Sequence, residues 1–376
     1  MIGPAALPPV VVLSQSDWGL AWVFAQDLAS HFAARGHAVV YVNPFPKRFP
    51  RPREWRRLLG RFLDRPRLTG SAAHTCPPGL HVRTPLTLPD RNRLFAWINR
   101  RLLLPGLRRR VLAAAGGRPL VFIFQPFATA VAFAAMLDPA RLVYARRDSY
   151  SDDPRLDRLQ LRESELLAKA DLVVCAGPVL AARSSEWREK ALDIPGLVDF
   201  AAFFRPLAEK PAVDPLCCYF GHLNQRVDLP LLQAVAERFP LRLIGPIGVD
   251  WSPGKEVECL GMVPVDRLPD LLADTDVVII PYRLSGFSRS IFPYKIFQAF
   301  AQGKPVVATR LPALEPLSSL LYFAATADEF KVQIARAAGE GLAVRRRRQE
   351  VARQHDRGLV LESLRQRLLG GAAEVS

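Results

Sequence analysis

Residues 288–312, SRSIFPYKIFQAFAQGKPVVATRLP, decide the fold. They read as a polar loop, a helix opened by Pro293, a stop at Gly303 and a buried strand, PVVAT. Proline suits the first helical turn, and glycine the position just past the last. Lys295 and Gln298 are three apart, so they share one helix face near its start. Ile296, Phe297, Phe300 and Ala301 fill much of the remaining surface. A helix start with a nearby lysine is a ready site for phosphate oxygens. A strand follows at once, as in a nucleotide-binding α/β unit. The stretch therefore points to an enzyme that uses a nucleotide-activated group.

Outward from this stretch, strand and helix signals alternate along nearly the whole chain. PVVVL (9–13), HAVVYVN (37–43), PLVFIFQ (119–125), RLVYAR (141–146) and DLVVCAG (171–177) read as buried strands of a first half. LCCYFG (216–221), LRLIGP (241–246), DVVIIPY (276–282) and PVVAT (305–309) do so in a second. Short continuous apolar runs of this kind fit a parallel sheet covered on both faces. Helices are expected near 18–35, 228–239, 266–273, 293–302 and 327–340. LLAKADLVVCAG (166–177) and LLADTDVVIIPY (271–282) echo one another weakly, as two doubly wound halves would. The proline-rich, aperiodic 195–212 reads as a linker. The expected division is 1–197, 213–345 and a helical 346–376 that packs back toward the first domain.

The 376 residues suffice for two domains with substantial cores, and 49% of them are apolar. No apolar run reaches the length of a transmembrane helix. The first residues lack a basic segment, so PVVVL is expected as a core strand rather than part of a signal peptide. Five cysteines without CxxC spacing read as free buried thiols in a reducing cytoplasm. The net charge is +15, and all of the excess lies in residues 1–150, with 22 Lys/Arg against 7 Asp/Glu. Most of it falls between Lys47 and Arg110, which hold 17 basic and 3 acidic residues. One cluster is 47–67. The other, RNRLFAWINRRLLLPGLRRR (91–110), reads as an amphipathic helix. There Leu94, Phe95, Trp97, Ile98, Leu102 and Leu103 interleave with Arg91, Arg93, Arg100 and Arg101. Such a helix can lie in an anionic membrane interface. A solvated basic face is the plain alternative. Nucleic acid is a third, with no RNP-like, helix-turn-helix or zinc-finger signature behind it.

By these residues the layout resembles a GT-B glycosyltransferase: α/β, two Rossmann-like doubly wound domains facing a cleft. Within that fold it most resembles the membrane-associated glucuronosyltransferase of xanthan-type exopolysaccharide assembly and its relatives. LVYARRD (142–148) is similar to the strand ending in that family's catalytic aspartate, which would be Asp148. YFGHL (219–223) is similar to the glycine turn opening the donor domain, and KIFQAFAQGKPVVA (295–308) to the helix that holds the nucleotide. SQSDWG (14–19) and YVNPF (41–45) look like first-domain segments of the same group. Many retaining GT-B enzymes carry two glutamates eight residues apart around this helix. Here those positions are Ser290 and Gln298, which resembles the inverting enzyme more. Met262 stands after Gly261 where that enzyme has an acid.

The resemblance implies an inverting transfer from a UDP-sugar, plausibly UDP-glucuronate, to a lipid-diphosphate-linked saccharide. It implies a cytoplasmic enzyme, peripheral on the inner face of the plasma membrane, with no cofactor and no nucleic acid partner. Such a transfer needs a base, positive charge at the departing diphosphate and a donor held for in-line attack. Asp148 is the base candidate, against a plain loop aspartate capping a turn, and Asp17 is its runner-up. Asp152 and Asp153 read as turn or helix-start residues. Lys295 is assigned to the diphosphate, helped by backbone N–H groups near Ser290 to Tyr294, and Gln298 to the ribose. Gly221, His222, Leu223, Met262, Val263, Tyr282 and Arg289 complete the expected donor site. Arg283 and Arg289 could also meet an acidic sugar's carboxylate. Arg91, Arg93, Trp97, Arg100 and Arg101 are the expected membrane and acceptor face. Asp274-Thr275-Asp276 matches a metal-binding Asp-x-Asp pattern, yet its setting suits capping, and no metal is expected. The six histidines show no ligand spacing. The rival readings are a soluble GT-B transferase with a small or protein acceptor, a sugar-nucleotide epimerase and a nucleic-acid binder.

Overall fold

The computed structural model describes residues 7–19, 22–49, 76–150, 162–181, 187–208, 214–254, 256–286 and 288–370. The basic stretch beyond Phe49, Asp152, Asp153 and the end of the expected linker lie outside the described residues. Two compact units emerge. The first holds residues up to Ala176, Leu180–Asp193 and those from Leu361 onward; the second holds Gly177–Val179 and Ile194–Val360.

The first unit is built on seven strands: β1 (Val10–Leu13), β2 (Val39–Val42), β3 (Leu80–Arg83), β4 (Leu120–Ile123), β5 (Arg141–Arg146), β6 (Leu172–Cys175) and β7 (Ala191–Asp193). All pairings are parallel, in the order β3-β2-β1-β4-β5-β6-β7. Strand order reverses between β1 and β4, the switch point of a doubly wound sheet. The valines and isoleucines of β1, β2 and β4 alternate between two covered faces. One set packs on Leu104, Leu107 and Val111 of the helix Leu104–Ala115. On the other face, Phe32 of the helix Phe24–Ala34 meets Phe122 edge-on at 5.7 Å.

In the second unit the strands are β8 (Cys217–Phe220), β9 (Leu241–Ile244), β10 (Val257–Gly261), β11 (Val277–Ile280), β12 (Val306–Ala308) and β13 (Tyr322–Phe323). They too are all parallel, ordered β10-β9-β8-β11-β12-β13, with the switch between β8 and β11. Period-two alternation puts Cys218, Phe220, Val278 and Ile280 on one face with the helix Lys295–Ala301. Cys217, Tyr219, Val277 and Ile279 lie on the other, with the helices Leu229–Ala236 and Ala327–Ala338.

Four strands escape the sequence reading: β3, β7, β10 and β13. All are at or near sheet edges and short of buried apolar residues, so they lack the continuous runs that marked the others. The basic 91–110 segment is not one even helix. It is Arg93–Ile98, a π-helical turn Asn99–Leu103, then Leu104–Ala115. The terminal helix also divides, into Leu342–Gln354 and Arg357–Gly370. Asp356 makes the break, since its carboxylate accepts from the N–H groups of Gly358 and Phe200.

One buried ion pair pins Leu342–Gln354 to the second sheet. Arg348 is fully buried and bonded through its guanidinium to both oxygens of Glu340, with Nε donating to the Leu320 carbonyl at 2.8 Å. Tyr322 donates to the same carboxylate at 2.9 Å. Removing one partner strands the other charge in the core, a cost of about 3–5 kcal/mol. Glu340→Ala is therefore expected to lower the urea unfolding midpoint by that equivalent. A loss at the level of an exposed pair, about 1 kcal/mol or less, would show the pair to be solvated.

Candidate functional site

The carboxyl ends of β8 and β11 flank the switch point of the second sheet, where open α/β folds place their ligands. Gly221 follows β8 directly, with φ of +116° and its N–H donating to the Ile244 carbonyl at 2.7 Å. A Cβ there would lie 3.0 Å from Lys295 Nζ. Gly245, after β9, has φ of +137°, and a Cβ on it would collide with the Gly221 carbonyl. Two residues without side chains thus let the two turns touch and leave backbone bare beside the lysine.

Lys295 opens the helix Lys295–Ala301 and is half-buried. Its ammonium stands 4.0 Å from the centroid of the Tyr219 ring, 5.5 Å from Phe220 and 5.6 Å from Tyr282. Aromatic faces attract a cation by about 0.5–2 kcal/mol each without neutralising it. No carboxylate among the described residues pairs with it. Burial first, then the neighbouring Tyr282 phenol, pushes the Tyr219 hydroxyl far above its ordinary range, so the ring stays neutral. That hydroxyl donates to the His222 carbonyl at 3.1 Å. The result is a positive charge held over neutral rings against open glycine backbone, an arrangement suited to phosphate oxygens.

The helix start contributes less than its sequence promised. It has only seven residues. Of the N–H groups expected near Ser290 to Tyr294, that of Ile291 already donates to Ser288 and Pro293 has none.

His222 is exposed and its ring lies over Gly248. Tyr282 is joined to Val227 by an antiparallel bridge, which ties the loop after β8 to the one after β11. Gln298 is half-buried one turn beyond Lys295, and its side chain makes no hydrogen bond among the described residues. Arg283 and Arg289 are exposed, on a loop tightened by Ser288, whose hydroxyl donates to the Arg283 carbonyl at 2.6 Å. Leu223 has a core side chain, and its N–H donates to the Pro246 carbonyl at 3.0 Å. Met262 is 75% exposed just past β10, whereas Val263 packs against the core. Tyr219, Gly245 and Gly248 went unread in the sequence. The only signal for Tyr219 was an aromatic at a strand end before a glycine, which many strands share.

Asp274-Thr275-Asp276 closes a turn. Asp276 accepts from the Leu216 N–H at 2.9 Å and Thr275 donates to Leu272 at 2.8 Å.

In the first unit, Asp148 is half-buried two residues past β5. The strand is fixed below it by Arg146, whose Nε donates to Glu163 at 2.9 Å while Tyr144 donates to the same carboxylate at 2.7 Å. Tyr150 fixes the other side, donating to the Phe124 carbonyl at 2.7 Å. SQSDWG and YVNPF meet at the ends of β1 and β2. Asn43 accepts from the Trp18 N–H at 2.9 Å, and Tyr41 donates to the Ser16 carbonyl at 2.7 Å.

Residues 225–338 match the family profile of glycosyl transferases group 1. Tyr282, Lys295 and Gln298 fall inside the matched stretch, and Gly221 lies just ahead of it. A Bacillus subtilis (strain 168) protein bearing the name teichuronic acid biosynthesis glycosyltransferase TuaH is 24% identical over 174 residues. That match covers 40% of this chain and 43% of the relative, less than half of each. Among solved structures, a glycosyltransferase from Rickettsia africae ESF-5 superposes with a TM-score of 0.64 at 14% identity, over 98% of this chain and 100% of its own. An E. coli trehalose-6-phosphate structure bound with UDP-2-fluoro glucose gives 0.59 at 13%, over 95% and 98%. At such identities the likeness establishes the fold, GT-B, with two parallel-sheet Rossmann-like domains. No helix among the described residues is long and apolar enough to cross a membrane.

Proposed function

We propose that this protein is an inverting glycosyltransferase. It moves a sugar, glucuronate in the favoured reading, from a UDP-sugar to a lipid-diphosphate-linked saccharide in bacterial exopolysaccharide or cell-surface glycan synthesis. It works at the cytoplasmic face of the membrane, without a metal. The observation that carries the reading is Lys295, an ammonium over three aromatic rings and against Gly221, inside the group 1 stretch. Lys295 neutralises the departing diphosphate, Gln298 meets the ribose, and Asp148 takes the proton from the acceptor hydroxyl. His222, Tyr282 and Arg289 border the donor. The teichuronic acid name of the B. subtilis relative and the UDP-sugar in the E. coli structure favour a cell-surface acceptor and a uridine donor.

A thermal-shift panel of UDP, GDP and several UDP-sugars tests this. UDP and UDP-glucuronate are expected to raise the melting temperature in the presence of a chelator. At a ligand concentration about a hundred times Kd, the stabilisation should be about 2.7 kcal/mol. An unmoved melting temperature with every uridine nucleotide would defeat the donor assignment.

A further inference from the structure

The geometry points to a bilayer-inserting face on the first unit, in which Leu94, Trp97 and Leu102 enter the headgroup region of an anionic membrane. It deepens the peripheral-membrane reading above and rests on it. Donor binding at Lys295 plays no part in it.

Leu94, Trp97 and Leu102 are 61%, 56% and 64% exposed, the largest values for big apolar side chains among the described residues of this unit. Single exposed apolar residues are ordinary. Three within nine positions of one helical segment form a patch that wants a cover. The helix Arg93–Ile98 buries none of its residues, so core packing does not hold it.

A polar clasp holds it instead. Asn99 is buried, donating to the Leu88 carbonyl at 2.9 Å and to Thr129 at 3.0 Å while accepting from the Leu88 N–H at 2.8 Å. The buried Asp90 accepts from the Thr129 N–H at 2.8 Å. At its start, Asn92 caps the helix by accepting from Phe95. The clasp fixes the helix from one side and leaves its apolar side unused.

The π-helical turn narrows the angular spread of the three residues. Leu94 and Trp97, three apart, share a face. Trp97 and Leu102, five apart, would diverge by about 140° in an α-helix. The turn Asn99–Leu103 is wider, closed by the Leu104 N–H donating to the Asn99 carbonyl, and a wider turn advances fewer degrees per residue, which reduces that divergence. Phe49, 47% exposed, meets Phe95 edge-on at 5.7 Å and extends the apolar border.

Charge names the occupant. Residues 91–110 contain seven arginines and no acid, and Arg91, Arg93, Arg100 and Arg101 are exposed around the ridge. A second copy of the chain would set arginines against arginines. Nucleic acid would take the guanidinium groups and leave the aliphatic ridge in water. A bilayer with anionic headgroups satisfies both, with arginine stems lying along the interface and the ridge below it.

The test is co-sedimentation of the full chain with phosphatidylglycerol-containing and with pure phosphatidylcholine vesicles, without nucleotide. The wild type is expected to bind only the anionic vesicles. The triple variant Leu94→Ser, Trp97→Ser, Leu102→Ser should lose about tenfold or more in partitioning, while a cooperative thermal unfolding transition without ligand shows that it folds. Trp97→Phe should keep binding and lose the fluorescence quenching given by brominated acyl chains. Unchanged partitioning of the triple variant would overturn the inference. So would failure of the wild type to bind, or an oligonucleotide bound in preference to the vesicles. Because the vesicle assay needs no donor and the thermal shift needs no lipid, failure of this face and failure of the donor reading are told apart.

Discussion

Replacing Lys295 with alanine is expected to abolish the UDP thermal shift and to cut turnover by about 10²–10³-fold. No carboxylate among the described residues balances this ammonium, and its rings leave the charge intact. A diphosphate leaving group gains charge as the glycosidic bond breaks. A fixed cation there stabilises the transition state more than the bound donor, so turnover suffers beyond affinity. Lys295→Arg should rescue poorly. The Nζ already lies 3.0 Å from where a Gly221 Cβ would stand, and a planar guanidinium needs more room and different directions. Folding should survive, because the aromatic contacts are worth only about 0.5–2 kcal/mol each. Isothermal titration with UDP, beside an unfolding curve, reads both. An alanine variant that binds UDP normally would remove Lys295 from the donor site.

Asp148→Asn is expected to lower turnover by about 10²–10⁴-fold with UDP binding unchanged. The amide keeps the shape and the hydrogen-bonding capacity of the carboxylate and loses its basicity. Asp148 stands where the carboxyl end of β5 leaves a chain tied down on both sides, by Arg146 with Glu163 and by Tyr150 with Phe124. A base held that firmly keeps its attack geometry when its charge is deleted, so the loss should appear in kcat rather than in donor affinity. UDP release with a lipid-linked acceptor reads kcat, and the thermal shift reads donor binding. Near-normal turnover would remove Asp148 as the base and turn attention to Asp17 at the end of β1.

The sequence was most informative where burial is two-sided. β1, β2, β4, β8, β11 and β12 are continuous apolar runs because helices cover both faces of each sheet, and that pattern needs no tertiary knowledge to read. β3, β10 and β13 are half-covered strands near sheet edges, with few buried side chains to betray them. The 288–312 stretch showed Lys295 and Gln298 on one helix and the lysine as a phosphate candidate, while the ribose role of Gln298 came by resemblance.

The amino-acid order by itself determined the α/β character, the two halves, the basic first domain and the lysine as the phosphate-binding candidate, since each follows from local pattern or composition. Only the tertiary structure decided that Tyr219, Phe220 and Tyr282 surround that lysine and that Gly221 and Gly245 touch. It alone decided that Asn99 clasps the amphipathic segment into a π-helical turn. These contacts join residues far apart in the chain, and their geometry is set by sheet order and register, which no local periodicity encodes.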